Sequence, residues 1–74
     1  MKLTIKFNNL GEVKDFVAIT SRYGENLSLV HDRFAVDAKS LLGIFSMDLT
    51  KPVELVCDHA NDNLKHELSH FITA

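Results

Sequence analysis

The hydrophobic residues of this chain change their spacing as the sequence proceeds, and that switching period limits the fold more than any other feature. Leu3, Ile5 and Phe7 alternate with Lys2, Thr4 and Lys6, the period-two pattern of a strand with one face buried and one wet. Val13, Phe16, Val17 and Thr20 then fall at helical spacing. Asn9 is placed to cap that helix with Glu12 three residues on, and Gly24 after Arg22 and Tyr23 supplies a stop, which predicts a helix from Leu10 to Tyr23. Leu27 and Leu29 alternate with Ser28, and Phe34 and Val36 with Arg33 and Ala35, on either side of polar His31 and Asp32, so this stretch reads as a hairpin. Asp37 or Ser40 can cap a short helix ending near Met47. Asp48 to Lys51 then turn the chain, and Pro52 opens a last strand from Val53 to Cys57. After the polar turn Asp58 to Asn61, the residues Leu64, Leu68, Phe71 and Ile72 form one apolar helical stripe, with Lys65, His66, Ser69 and His70 on its wet side. The order is β-α-β-β-α-β-α. Because each helix has a single apolar stripe, the economical packing is an α+β fold with three helices on one face of a four-stranded antiparallel sheet and the other face solvated.

Length confines this pattern to one domain, residues 1–74, since a 74-residue chain buries only about 60% of the surface it exposes when unfolded and needs nearly every apolar side chain for its core. Eight Lys plus Arg against ten Asp plus Glu give a net charge of −2, with no basic block to neutralise a phosphate backbone, so direct nucleic-acid binding is not expected. The longest apolar stretch, Leu41 to Phe45, falls far short of the roughly 20 residues of a membrane span, and the charged start Met1 to Lys6 lacks a signal-peptide core. With a single cysteine, Cys57, these features point to a cytoplasmic protein.

The segment Val36-Asp37-Ala38-Lys39-Ser40-Leu41-Leu42-Gly43-Ile44-Phe45-Ser46-Met47 resembles the regulatory-serine region of HPr, the histidine-containing phosphocarrier of the bacterial sugar phosphotransferase system. The resemblance runs without an evident gap from Phe16 through the hairpin to this helix, and more loosely through Pro52 to Phe71. It implies an HPr-like open-faced β-sandwich with sheet order 1-4-2-3, an order that periodicity alone leaves open. It also implies roles for individual residues. Ser40 matches the position that HPr kinase/phosphorylase modifies in HPr and in its paralogue Crh, which acts with a catabolite-control transcription factor. Leu41, Leu42 and Phe45 match an exposed apolar patch that partner proteins grip, with Lys39 beside it, while Ile44 and Met47 match the core side. The carrier histidine is what this chain departs from. HPr holds it in a Gly-Leu-His-x-Arg-Pro stretch at the start of the first helix, where this chain has Phe7-Asn8-Asn9-Leu10-Gly11-Glu12-Val13 and a connection shorter by roughly one helical turn. Asn8, Asn9 and Glu12 supply neither a nucleophile nor a cation for a phosphoryl group.

Each of these signals also has a plainer reading. Ser40 serves equally as a helix cap, a role that contributes about 1 kcal/mol and needs no kinase. Leu41, Leu42 and Phe45 would be core if the helix turned them inward. His66-Glu67-Leu68-Ser69-His70 spells the H-E-x-x-H pattern in which two histidines one helical turn apart share a zinc ion and the glutamate acts as general base. Only four residues follow His70, none of them a metal ligand, and both histidines fall opposite the apolar stripe, so no metal or other cofactor is expected. His31 at the hairpin tip and His59 in the last turn match no known site, and Cys57 alternates in phase with Val53 and Leu55 as a buried small side chain.

Together these readings predict a non-catalytic, HPr-like regulatory or protein-binding chain. Ser40 is its candidate phosphorylation switch, and Lys39, Leu41, Leu42 and Phe45 form its candidate contact surface. Its expected partners are proteins: HPr kinase/phosphorylase, a catabolite-control transcription factor or other phosphotransferase-system components. Two alternatives stand beside this, a phosphocarrier that uses another of the four histidines and a self-associating structural module without a phosphate role.

Overall fold

In a computed structural model, which describes residues 1–73, the elements follow the predicted order. They are β1 (Lys2–Ile5), α1 (Leu10–Thr20), β2 (Leu27–His31), β3 (Phe34–Asp37), α2 (Leu41–Phe45), β4 (Val53–Cys57) and α3 (Asp62–Glu67). The strands form one antiparallel sheet in the order β1-β4-β2-β3. This is the arrangement implied by the resemblance, with β4 inserted between β1 and β2. Register places Leu3 opposite Leu55, Ile5 opposite Val53, Leu29 opposite Leu55 and Leu27 opposite Cys57, so the buried residues of three strands share one face. On that face they meet Val13 and Phe16 of α1, Ile44 of α2 and Leu64 of α3, all fully buried. The opposite face carries Lys2, Thr4, Glu54, Ser28, Ala35 and Asp37, with a Lys2 Nζ to Glu54 Oε1 ion pair at 3.7 Å lying open to solvent.

Helix boundaries follow from their caps. The Asn9 side chain accepts from the backbone N–H of Glu12 at 2.9 Å, and Glu12 Oε1 accepts in return from the N–H of Asn8 at 2.8 Å, one residue earlier than a simple capping box would have it. At its far end α1 stops at Thr20, three residues before the predicted Tyr23. The N–H groups of Ser21, Arg22 and Tyr23 bond back to Val17, Ile19 and Thr20 in a tightening final turn, and no glycine adopts a positive φ. The left-handed glycine stop expected at Gly24 is therefore unused. Among the described residues the one left-handed residue is Asp32 (φ 53°), in the two-residue turn between β2 and β3, a conformation that aspartate tolerates well.

One more expectation is corrected. The closing helix ends at Glu67, so Leu68, Phe71 and Ile72 do not continue one helical stripe. Leu68 and Phe71 are buried nonetheless, because the tail folds back along β1: the N–H of Lys6 donates to the carbonyl of Phe71 at 3.0 Å, that of Thr73 donates to Thr4 at 2.9 Å, and Ile72 bridges to Ile5. Phe71 leaves the helix to join an aromatic cluster. Its ring lies edge-on to Phe16 (centroids 5.8 Å, 89°), and Phe16 is edge-on to Phe7 (5.2 Å, 84°), a geometry favoured by the ring quadrupoles. Phe34 is 70% exposed although it lies on the helix side of the sheet, because its place there falls at a corner that no helix reaches.

Thr20 sets the position of α2. Its hydroxyl is completely buried and donates to the carbonyl of Ala38 at 2.9 Å, tying the end of α1 to the segment that leads into Ser40. Replacing Thr20 by Val removes the donor and leaves the Ala38 carbonyl buried with one fewer partner. Denaturant unfolding should show a loss of about 1–3 kcal/mol, and an unchanged midpoint would mean that this bond is dispensable.

Candidate functional site

Short range geometry determines how α2 presents its residues. Ser40 is the N-cap, in extended backbone, and its Oγ accepts from the N–H of Gly43 at 3.1 Å while its carbonyl accepts from Ile44 at 3.0 Å. Asp37, the other cap candidate, acts one turn earlier: its Oδ1 accepts from the N–H of Lys39 at 2.8 Å and its carbonyl from Ser40 at 3.0 Å, turning the chain out of β3. Gly43 makes the close approach to the sheet feasible. A Cβ there would sit 3.1 Å from Ser40 Oγ and 3.4 Å from Val36 Cβ, so a side chain at this position would press on both the cap and β3. The helix has five residues and ends at Phe45, two residues before the predicted Met47, where Ser46 closes it. So short a helix has little macrodipole, and the groups that could receive a phosphate on Ser40 are its individual first-turn amides.

The candidate residues divide by face. Ile44 is fully buried, Leu41 and Met47 are partly buried against the core, Leu42 is 81% exposed and Phe45 is 37% exposed. The outer side of α2 is therefore apolar at Leu42 and Phe45, with half-buried Ser40 at its start and Leu41 forming its inner margin. Lys39 directly precedes the cap residue Ser40 in the chain. It lines a groove of about 450 Å³ at the ends of β2 and β3 whose other charged members are Glu25, Asp37 and Asp58, so the charges around it are acidic.

The beginning of α1 holds a residue that the sequence placed elsewhere. His70 Nε2 lies 3.0 Å from Glu12 Oε2, and its ring stands edge-on to Phe71 at 5.3 Å. The early end of α3 brings it there, a bend for which helical periodicity carries no signal. The same bend dissolves the H-E-x-x-H pattern: His66 is on α3, His70 is in the turn beyond it, and the intervening Glu67 accepts from the Tyr23 hydroxyl and pairs with Arg22 at 3.4 Å. Among the described residues no three His, Cys, Asp or Glu side chains gather closely enough to hold a metal ion. Burial pushes the Cys57 thiol up, away from the reactive thiolate. The bond to Glu67 is the main cause raising the Tyr23 hydroxyl above its ordinary value.

Glu12 is held below the ordinary carboxylate value of 4.5, first by the Asn8 N–H and then by His70, both of which favour the charged form. A carboxyl whose folded pKa is depressed contributes stability that is complete above its unfolded pKa and is lost as pH falls through the lower folded value. Acidification from neutral pH should therefore loosen the start of α1 in the wild type. In Glu12→Gln the Asn8 amide should lose its acid transition when followed by NMR, and an identical transition in both proteins would show that another group controls it.

No protein-family model matches this sequence, and no curated protein matches it either. Among solved structures, the chain is similar to the crystal structure of HPr-C-His from Thermoanaerobacter tengcongensis, with a TM-score of 0.75, 21% sequence identity, and coverage of 95% of this chain and 85% of that one. Among the described residues no helix is long and apolar enough to cross a membrane. The chain has an HPr-like fold: four antiparallel strands in the order 1-4-2-3 with three helices.

Proposed function

We propose that this chain is a non-catalytic, HPr-like binding protein that acts beside the sugar phosphotransferase system in the cytoplasm, recognising protein partners through the outer side of α2. One observation carries the reading. Leu42 is 81% exposed on the same five-residue helix whose Ile44 is completely buried, so an apolar surface remains after the core has been filled. It adjoins Ser40, while the start of α1 has Asn8, Asn9 and Glu12 where the resemblance implies a phosphoryl-accepting histidine and its cationic neighbour. A chain with that inventory works by contact. Leu42 and Phe45 supply the apolar centre of the interface, with Leu41 at its margin and Lys39 at its rim. Phosphorylation of Ser40 is the switch: the phosphate oxygens take over the amide of Gly43 now bonded to Oγ, and two negative charges arrive at the edge of an otherwise apolar contact. The partners are proteins such as HPr kinase/phosphorylase or a catabolite-control transcription factor, and neither a cofactor nor nucleic acid takes part directly.

The His70 and Glu12 pair favours a second reading, a phosphocarrier with a displaced histidine. Glu12 is held in its charged form and has no proton to give, so the imidazole is the donor of this bond from Nε2, and Nδ1 is the nitrogen left for attack on phosphorus in the neutral ring. The two readings differ in the chemistry of the modified protein. Incubation with HPr kinase and ATP should place an acid-stable phosphate on the wild type and none on Ser40→Ala, as read by mass spectrometry. No label, or equal label on both, removes the switch. An acid-labile phosphoramidate formed with enzyme I and phosphoenolpyruvate, and lost in His70→Ala, would instead establish the carrier.

A further inference from the structure

The two edges of the sheet are treated unequally. The β1 edge is closed by the chain's own tail, through Lys6 to Phe71, Thr73 to Thr4 and the Ile5 to Ile72 bridge. The β3 edge has no such cover among the described residues, and its sequence Phe34-Ala35-Val36-Asp37 includes neither the lysine nor the proline that commonly guards an open edge.

The hydrogen-bonding phase of β3 follows from its register. Residues of β2 and β3 pair so that His31 is opposite Phe34, Val30 opposite Ala35 and Leu29 opposite Val36. The N–H of Ala38 donates to the carbonyl of Leu27 at 2.9 Å, which continues the ladder by one pair and fixes its parity. In an antiparallel ladder the bonded pairs alternate, so Phe34, Val36 and Ala38 direct their amides to β2 while the N–H and carbonyl of Ala35 point outward.

We infer that β3 is a docking edge for β3 of a second copy of this chain, paired antiparallel about a two-fold axis at Ala35. Ala35 is the smallest side chain of the strand and is exposed, so two copies can approach at the axis. In that register each Ala35 exchanges both backbone bonds with its twin, the 70% exposed Phe34 lies across from the partner's Val36, and Arg33 lies across from the partner's Asp37. The strand is thus complementary to itself in charge as well as in apolar surface, as a two-fold contact requires. Val36 already rests against α2 at Gly43, so the covered Phe34 would extend the apolar ground beside that helix. Two four-residue edges cover far less than the roughly 800 Å² per partner of a standard interface, which makes this a weak association, on the order of 0.1 mM, that strengthens with local concentration.

Sedimentation velocity of the whole chain from micromolar to millimolar concentration tests it. The wild type should shift toward the dimer as concentration rises, and Phe34→Lys should remain monomeric throughout. Ala35→Pro should also remain monomeric, since it removes an outward N–H and no bond to β2, with circular dichroism confirming the fold. Arg33→Glu sets like charges opposite each other twice and should weaken association about tenfold. Under mild oxidation Ala35→Cys should give a disulfide-linked dimer, and Ala18→Cys, exposed on α1, should not. A wild type that stays monomeric overturns the inference, whether or not the edge then accepts a foreign peptide strand. So does a dimer that survives Phe34→Lys, or equal crosslinking at positions 18 and 35.

Discussion

The structure depends on a sheet that can bury only one of its faces. Leu3, Ile5, Leu27, Leu29, Val53, Leu55 and Cys57 project from that face, and three short helices must cover them with very few residues. Each helix therefore gives its one apolar stripe to the core: Val13 and Phe16 from α1, Ile44 from α2, Leu64 from α3. Phe7, Leu68 and Phe71, outside the helices, complete that core, and the large apolar side chains left over lie outward. Leu42 and Phe34 are surplus in this sense, and their exposure results from a geometry in which the core is already full.

What distinguishes α2 is how little of it is helix and how much is anchorage. Five residues cannot form a stable helix alone. The segment is instead held by the Ser40 cap on Gly43, the Asp37 turn onto Lys39, the missing Cβ at Gly43 against Val36, and the buried Thr20 hydroxyl on Ala38. These four local constraints converge on the half-buried Ser40. A cap is also a sensitive place for a charge, because the group that would be modified is the group that satisfies the first turn. The cap role of Ser40 is thus compatible with the proposed switch: the cap places the hydroxyl where a phosphate would find amides.

Much of this was legible in the sequence. Alternation located β1, β2 and β4 because their inward residues face a continuous core, and caps with side-chain oxygens marked the start of α1 at Asn9 and narrowed that of α2 to Asp37 or Ser40, of which Ser40 is the cap. The element ends were less visible. Helix α1 closes through backbone bonds that any sequence can make, and α3 ends early because Phe71 gains more beside Phe16 and Phe7 than on a helical stripe, a preference set by residues some sixty positions away. That long-range choice also carried His70 to Glu12, so the one histidine near α1 could not be found from spacing. The exposure of Phe34 was not legible for a related reason: alternation gives the side of a sheet, and not whether a helix extends over that corner.

Helix α2 divides sharply between a core-facing side at Ile44 and an exposed side at Leu42. Equilibrium unfolding of two single variants tests this division most directly. If the division is real, Ile44→Ala should cost about 2–5 kcal/mol while Leu42→Ala changes stability by no more than about 0.5 kcal/mol. Comparable losses at the two positions would mean that Leu42 belongs to the core, and would contradict the account of α2 as a recognition surface.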